Sequence, residues 1–125
     1  MSSVVSVESA MVSAQQVFGE ISPQFARLTE EVLFGDVWQQ GELSLRDRSL
    51  ITVASLVALG RTGQLPFHYQ LAQTHGVDSA QLSALITHLA FYAGWPAAAS
   101  AFEAMQPVMG SVCGDEEKEE KTSCL

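Results

Sequence analysis

The sequence predicts an all-α domain of about six helices, and three observations carry that reading. Apolar residues recur at helical spacing along most of the 125-residue chain, no segment alternates polar and apolar like a half-buried strand, and Ser, Asp, Pro and Gly fall where helices need caps.

The first helix is expected over residues 7 to 18. A second opens after Ser22-Pro23, because proline at the first helical position gives up no hydrogen bond, and it runs through Phe25, Leu28, Val32 and Leu33. Gly35 ends or bends it, ahead of a short segment around Val37 and Trp38. Ser44 and Asp47 form a variant of the capping box that starts helix three, which extends to about Leu59 and stops at Gly60 in a left-handed conformation. Helix four starts at Pro66 and ends near His75, with Gly76 as its cap. Asp78 caps helix five over 79 to 93, whose Leu82, Leu85, Ile86 and Leu89 form an apolar stripe. Gly94 breaks it and Pro96 starts helix six, through about Met105.

Residues 1 to 109 are thus expected to form one domain, followed by an acidic tail, 110 to 125, that lacks periodicity and reads as disordered. An apolar content of 47% is high for so short a soluble monomer, which points to a homo-oligomer that completes its core at an interface.

The net charge of −8 includes −3 from the tail segment DEEKEEK, leaving −5 on the folded part. Six Lys and Arg in total supply no basic stripe for phosphates, which argues against nucleic acid as a partner. No run of eighteen apolar residues would span a membrane, and the N-terminus lacks a basic region followed by a continuous apolar core, so a cytoplasmic protein is expected. Cys113 and Cys124 both lie in the tail and read as free thiols without a structural role.

His68 is the candidate for chemistry. It follows Pro66 by two residues, near free backbone N–H groups and the positive end of the helix dipole, and both hold an imidazole neutral near pH 7. A helix-start histidine that only caps or packs is the alternative. On helix three, Ser49 shares a face with Arg46, Thr52 and Val53, whereas Arg48 points about a quarter turn away. If a pocket faces Ser49, Arg46 is the better-placed cation for it, and Arg48 is expected either to join it or to pair with Glu30, Glu31 or Asp36. His88, off the apolar stripe of helix five, either approaches a pocket or faces solvent, and Trp38, Tyr92 and Trp95 either wall a pocket or pack in a core or interface. His75, at a helix C-terminus, suits the dipole there. The three histidines show no metal-ligand spacing and no phosphate loop or dinucleotide fingerprint occurs, so no cofactor and no metal are expected.

Five blocks in order, FGDVW (34 to 38), LSLRDRSL (43 to 50), ALGR (58 to 61), LPFH with Ala72 and Gly76 (65 to 76) and FYAGWPAAASAF (91 to 102), resemble the carboxymuconolactone decarboxylase family, whose fold is shared with the alkylhydroperoxidase D proteins. The resemblance covers roughly residues 24 to 107. It implies a trimer or a hexamer built from trimers, with His68 as the catalytic group. In the peroxidase branch a C-x-x-C pair and a glutamate precede that histidine. Arg61, Gln64 and Ser49 stand at those positions here, so a dithiol mechanism has no thiols at this site.

The decarboxylase branch is the better match. It implies a small carboxylated lactone as substrate, with Arg46 and Arg48 on its carboxylates, His68 as acid/base and Ser49 as a polar pocket residue. Closely similar decarboxylases carry an arginine soon after the Trp of the FGDVW block, where this chain has Gln39 and Gln40. A peroxidase-type antioxidant protein and a non-catalytic oligomeric binding protein are the alternatives.

Overall fold

The computed structural model describes residues 5 to 109; the acidic tail, Cys113 and Cys124 lie outside the described residues. Within them the chain is all helical: α1 (Val7–Phe18), α2 (Pro23–Arg27) continuing as a π-helix (Leu28–Phe34), a 3₁₀ turn (Val37–Gln39), α3 (Leu45–Leu59), a second 3₁₀ turn (Thr62–Gln64), α4 (Leu65–Thr74), α5 (Ser79–Ala93) and α6 (Trp95–Met109).

The caps explain these boundaries. Ser6 and Ser9 form a capping box at α1, and Asp78 and Gln81 form another at α5. At α3 the Ser44 hydroxyl accepts from the Asp47 N–H at 3.0 Å. Both α3 and α4 end in the same paired-bond motif. Arg61 N–H donates to Leu56 O and Gly60 N–H to Val57 O, with Gly60 at φ +74°; Val77 N–H donates to Ala72 O and Gly76 N–H to Gln73 O, with Gly76 at φ +95°. His75 is the capping residue held by the second of these.

The expected second helix differs in kind. From Leu28 to Phe34 it is π-helical, and the Thr29 hydroxyl donates to the Phe25 carbonyl at 2.8 Å. A side chain that takes a backbone acceptor one turn earlier competes with the α-helical ladder, and the wider π turn accommodates it.

The main core joins four helices: Val53 and Val57 of α3, Leu65, Tyr69 and Ala72 of α4, Leu82 and Ile86 of α5, and Ala98, Ala101 and Met105 of α6. Helix α4 packs against both α3 and α6. Its Tyr69 is fully buried, and the phenol donates to Ala101 O at 2.7 Å, which satisfies a polar group in an apolar interior. A second core contains Val7 and Ala10 of α1, Phe34, Trp38 and Leu71. This smaller cluster fastens the N-terminal helices over the opposite side of α4 and carries Trp38 to the candidate site.

Candidate active site

His68 is the fourth residue of α4 and stands in the wall of a cleft of about 380 Å³ between α1, the π-helix and the start of α4. The lining is mainly apolar, with Ala14, Val17, Phe25, Leu33 and Phe67 around the polar atoms of Ser13, Thr29 and Gln64. No arginine, lysine or carboxylate is among the lining residues. The volume suits a small ligand.

The imidazole is held by rings. Trp38 lies near-parallel to it, with centroids 6.3 Å apart at 23°, and Phe67 meets it edge-on at 5.2 Å. Its Nδ1 is buried without a hydrogen-bond partner, which leaves Nε2 as the candidate nitrogen for a ligand. Burial lowers its pKa from 6.5 to about 4. The ring is therefore neutral at pH 7, as the sequence suggested, but desolvation is the cause. Placing the single proton on Nε2 spares the sealed Nδ1 from being an unpaired donor, which favours the Nε2–H tautomer.

Behind Trp38 lies a second histidine. His75 Nδ1 is 2.8 Å from Ser49 Oγ, and its ring is 5.9 Å from the indole of Trp38. Its pKa is lowered by desolvation, against an opposing hydrogen bond to the backbone of Leu45. Ser49 is only 1% exposed and Trp38 only 6%. The structure thus gathers His68, Trp38, His75 and Ser49 into one cluster on α3, α4 and the first 3₁₀ turn.

The arginines stand elsewhere. Arg48 Nη2 donates to Gln40 O at 2.9 Å, and its Nε is buried without a partner. The expected pairing with Glu30, Glu31 or Asp36 does not form: Asp36 accepts from Gln40 Nε2 at 2.8 Å and Glu30 from Gln15 Nε2 at 3.0 Å. Arg46 is half-buried. Neither arginine, nor Ser49, lines the cleft. His88 is exposed beside Tyr92, 5.1 Å between ring centroids. Trp95 borders a separate hollow of about 260 Å³ with Thr87, Ala98, Phe102 and Glu103. Among the described residues no cluster of three or more His, Cys, Asp or Glu could hold a metal ion, and no helix is long and apolar enough to cross a membrane.

Sequence reasoning gave His75 only a place at a helix C-terminus, and missed its tie to Ser49 and Trp38 and the cleft wall supplied by α1. The spacing held a signal for the first: His75 follows His68 by seven residues, two turns along one face of α4. For the second no local signal exists, because the contact of α1 with the π-helix is tertiary.

The sequence model of the carboxymuconolactone decarboxylase family matches residues 23–107, from the start of α2 to the last turn of α6. The chain belongs to this family. It is also similar to the 4-carboxymuconolactone decarboxylase of Acinetobacter baylyi (strain ATCC 33305 / BD413 / ADP1), 34% identical over 89 residues that cover 71% of this chain and 66% of that protein. The chain thus matches just under two thirds of that relative's length. Helix α1 precedes the part matched by the family model, yet it contributes Ala10, Ser13, Ala14, Val17 and Phe18 to the cleft.

Proposed function

We propose that this family member is a cofactor-independent decarboxylase of small carboxylated lactones, with 4-carboxymuconolactone as the first substrate to try and His68 as its catalytic residue. One observation carries the reading: an imidazole held neutral by burial, with Nδ1 sealed, stands in the wall of an apolar cleft of ligand size. The decarboxylase name of the Acinetobacter relative agrees with it.

The chemistry fits such a site. A carboxylate moved from water into an apolar cleft loses hydration, while the transition state for CO2 loss spreads the charge over a larger frame and misses that hydration less. As the C–C bond breaks, its electron pair runs through the ring to the lactone carbonyl and forms a dienolate. The Nε2–H of His68 donates to that developing oxyanion, a role a neutral imidazole fills without changing its protonation state. CO2 leaves, and a proton from water completes the product at carbon.

The family resemblance implies an acid/base role for His68. With a pKa of about 4, only about one ring in a thousand is protonated at pH 7, so hydrogen-bond donation replaces proton delivery. Arg46, which lies outside the cleft lining, is kept only as the proposed cation for a substrate carboxylate. Arg48 serves to hold the Gln40 carbonyl.

The homo-oligomer expected from composition is part of the same proposal. Phe91, Tyr92 and Trp95 are 75%, 78% and 65% exposed on neighbouring turns of α5 and α6, an apolar face of the kind that subunit contacts cover. The activity is tested by CO2 release and loss of ultraviolet absorbance with 4-carboxymuconolactone. Turnover by the wild type that disappears in His68→Ala supports the reading, and an inert wild type rejects this substrate.

A further inference from the structure

His68 and His75 are held in opposite ways. The Nδ1 of His68 has no hydrogen-bond partner among the described residues, and the ring packs against Trp38 and Phe67. His75, in contrast, is tied to α3 by Ser49 Oγ at 2.8 Å and by the backbone of Leu45, one turn earlier. Its own backbone is set by the bonds that close α4 at Gly76. The indole of Trp38 contacts both imidazoles and spans the two turns of α4 between them.

Ser49 does not use this bond for nucleophilic chemistry. At 1% exposure it is out of reach of any molecule in the cleft, and His75 is not among the cleft-lining residues. What the pair can do is fix a ring. A fixed His75 packs on Trp38, and Trp38 in turn stacks on the His68 ring.

We propose that His75, anchored by Ser49, is a positioning residue that holds Trp38 against His68 and thereby keeps the His68 ring desolvated with Nε2 toward the cleft. The catalytic importance of this device rests on the role proposed above for His68, but the device itself can be read without any substrate. No charged side chain lines the cleft, and His75, which shares Trp38 as a ring neighbour with His68, is the titratable group in this cluster.

The test is a pH titration of the histidine ring nitrogens by 15N NMR on the full chain, for wild type, Ser49→Ala and His75→Asn. The first variant keeps the His75 ring and removes its anchor. The second removes the ring and keeps an amide able to bond Ser49 at a helix end that suits asparagine. Emission from Trp38, which is buried while Trp95 is exposed, reports whether the indole moves, and circular dichroism reports whether each variant is folded.

The expected result is a His68 pKa that rises from about 4 toward 6.5, by about one pH unit or more in His75→Asn, with Trp38 emission shifted to the red. Ser49→Ala is expected to move both in the same direction by less. A folded His75→Asn protein whose His68 pKa and Trp38 emission match the wild type overturns the proposal. So does a wild-type His68 that titrates near 6.5, since there is then no desolvation to maintain. Failure of the decarboxylase reading shows instead as absent turnover by a wild type whose His68 titration still shifts in the two variants as expected.

Discussion

Ser49 Oγ lies 2.8 Å from His75 Nδ1, joining the start of α3 to the end of α4 across 26 residues of sequence. Ser49 is buried and His75 is half-buried, so losing the bond strands the serine side of it away from water. Ser49→Ala is therefore expected to lower stability by about 1–3 kcal/mol. Chemical denaturation with an unchanged slope checks this, and a loss below about 0.5 kcal/mol would mean that the bond contributes little.

Stability should depend on pH through the same cluster. The folded-state pKa of His68 is about 4 against 6.5 for a free imidazole, so the folded protein binds fewer protons than the unfolded chain between those values. The contribution is fully present above pH 6.5 and is lost as pH falls toward 4, up to about 3 kcal/mol in all. His75, lowered in the same direction, adds to the loss. Thermal melts from pH 7 to 4 should show the decline, and His68→Phe should make it shallower.

Gly94 connects α5 to α6 at φ +106° and ψ 148°, a region open essentially to glycine alone. An added Cβ there would meet only Pro96 Cδ at 3.8 Å, so crowding is not the constraint. Gly94→Ala should cost about 1–3 kcal/mol through backbone conformation alone, measured as a fall in the urea midpoint. At Gly41, where φ is not positive and a Cβ meets nothing within 4 Å, the same substitution should be nearly silent.

The cleft can be filled from its rim. Val17 on α1 is more than half exposed and lines the cleft opposite α4. Val17→Trp should leave the melting temperature within a few degrees of wild type and reduce turnover at least tenfold. Unchanged turnover in a folded variant would place the reacting atoms away from this cleft.

How much of this was legible in the sequence depended on whether the determinant was local. The ends of α1, α3 and α5 follow from side chains within a few residues, such as Ser6 with Ser9, Ser44 with Asp47 and Asp78 with Gln81, and the glycine stops at 60, 76 and 94 all take positive φ. The π-helix was not legible, because its apolar spacing fits an α-helix equally well and the competing Thr29 to Phe25 bond appears only in three dimensions.

The candidate site divides in the same way. His68 stood out through Pro66 and its place near a helix start. The partnership of His75 with Ser49 needed the packing of α3 on α4, and the separation of Arg46 and Arg48 from the cleft needed the position of α1. Helical periodicity placed Arg46 and Ser49 on one face of α3 but could not say that this face meets α4 and Trp38 rather than the cavity.

The measurement that bears most directly on the proposed chemistry compares CO2 release from 4-carboxymuconolactone by wild type, His68→Ala and His68→Gln. A glutamine side chain places an N–H donor close to where imidazole Nε2 stands, but cannot take up or deliver a proton near neutral pH. If neutral His68 acts by hydrogen-bond donation, the alanine variant should lose about 10²–10³-fold in kcat, and the glutamine variant should recover a substantial part of it with a flat pH profile between 6 and 8. A wild type that turns over while both variants are equally inactive would contradict the donor role and return His68 to acid/base catalysis.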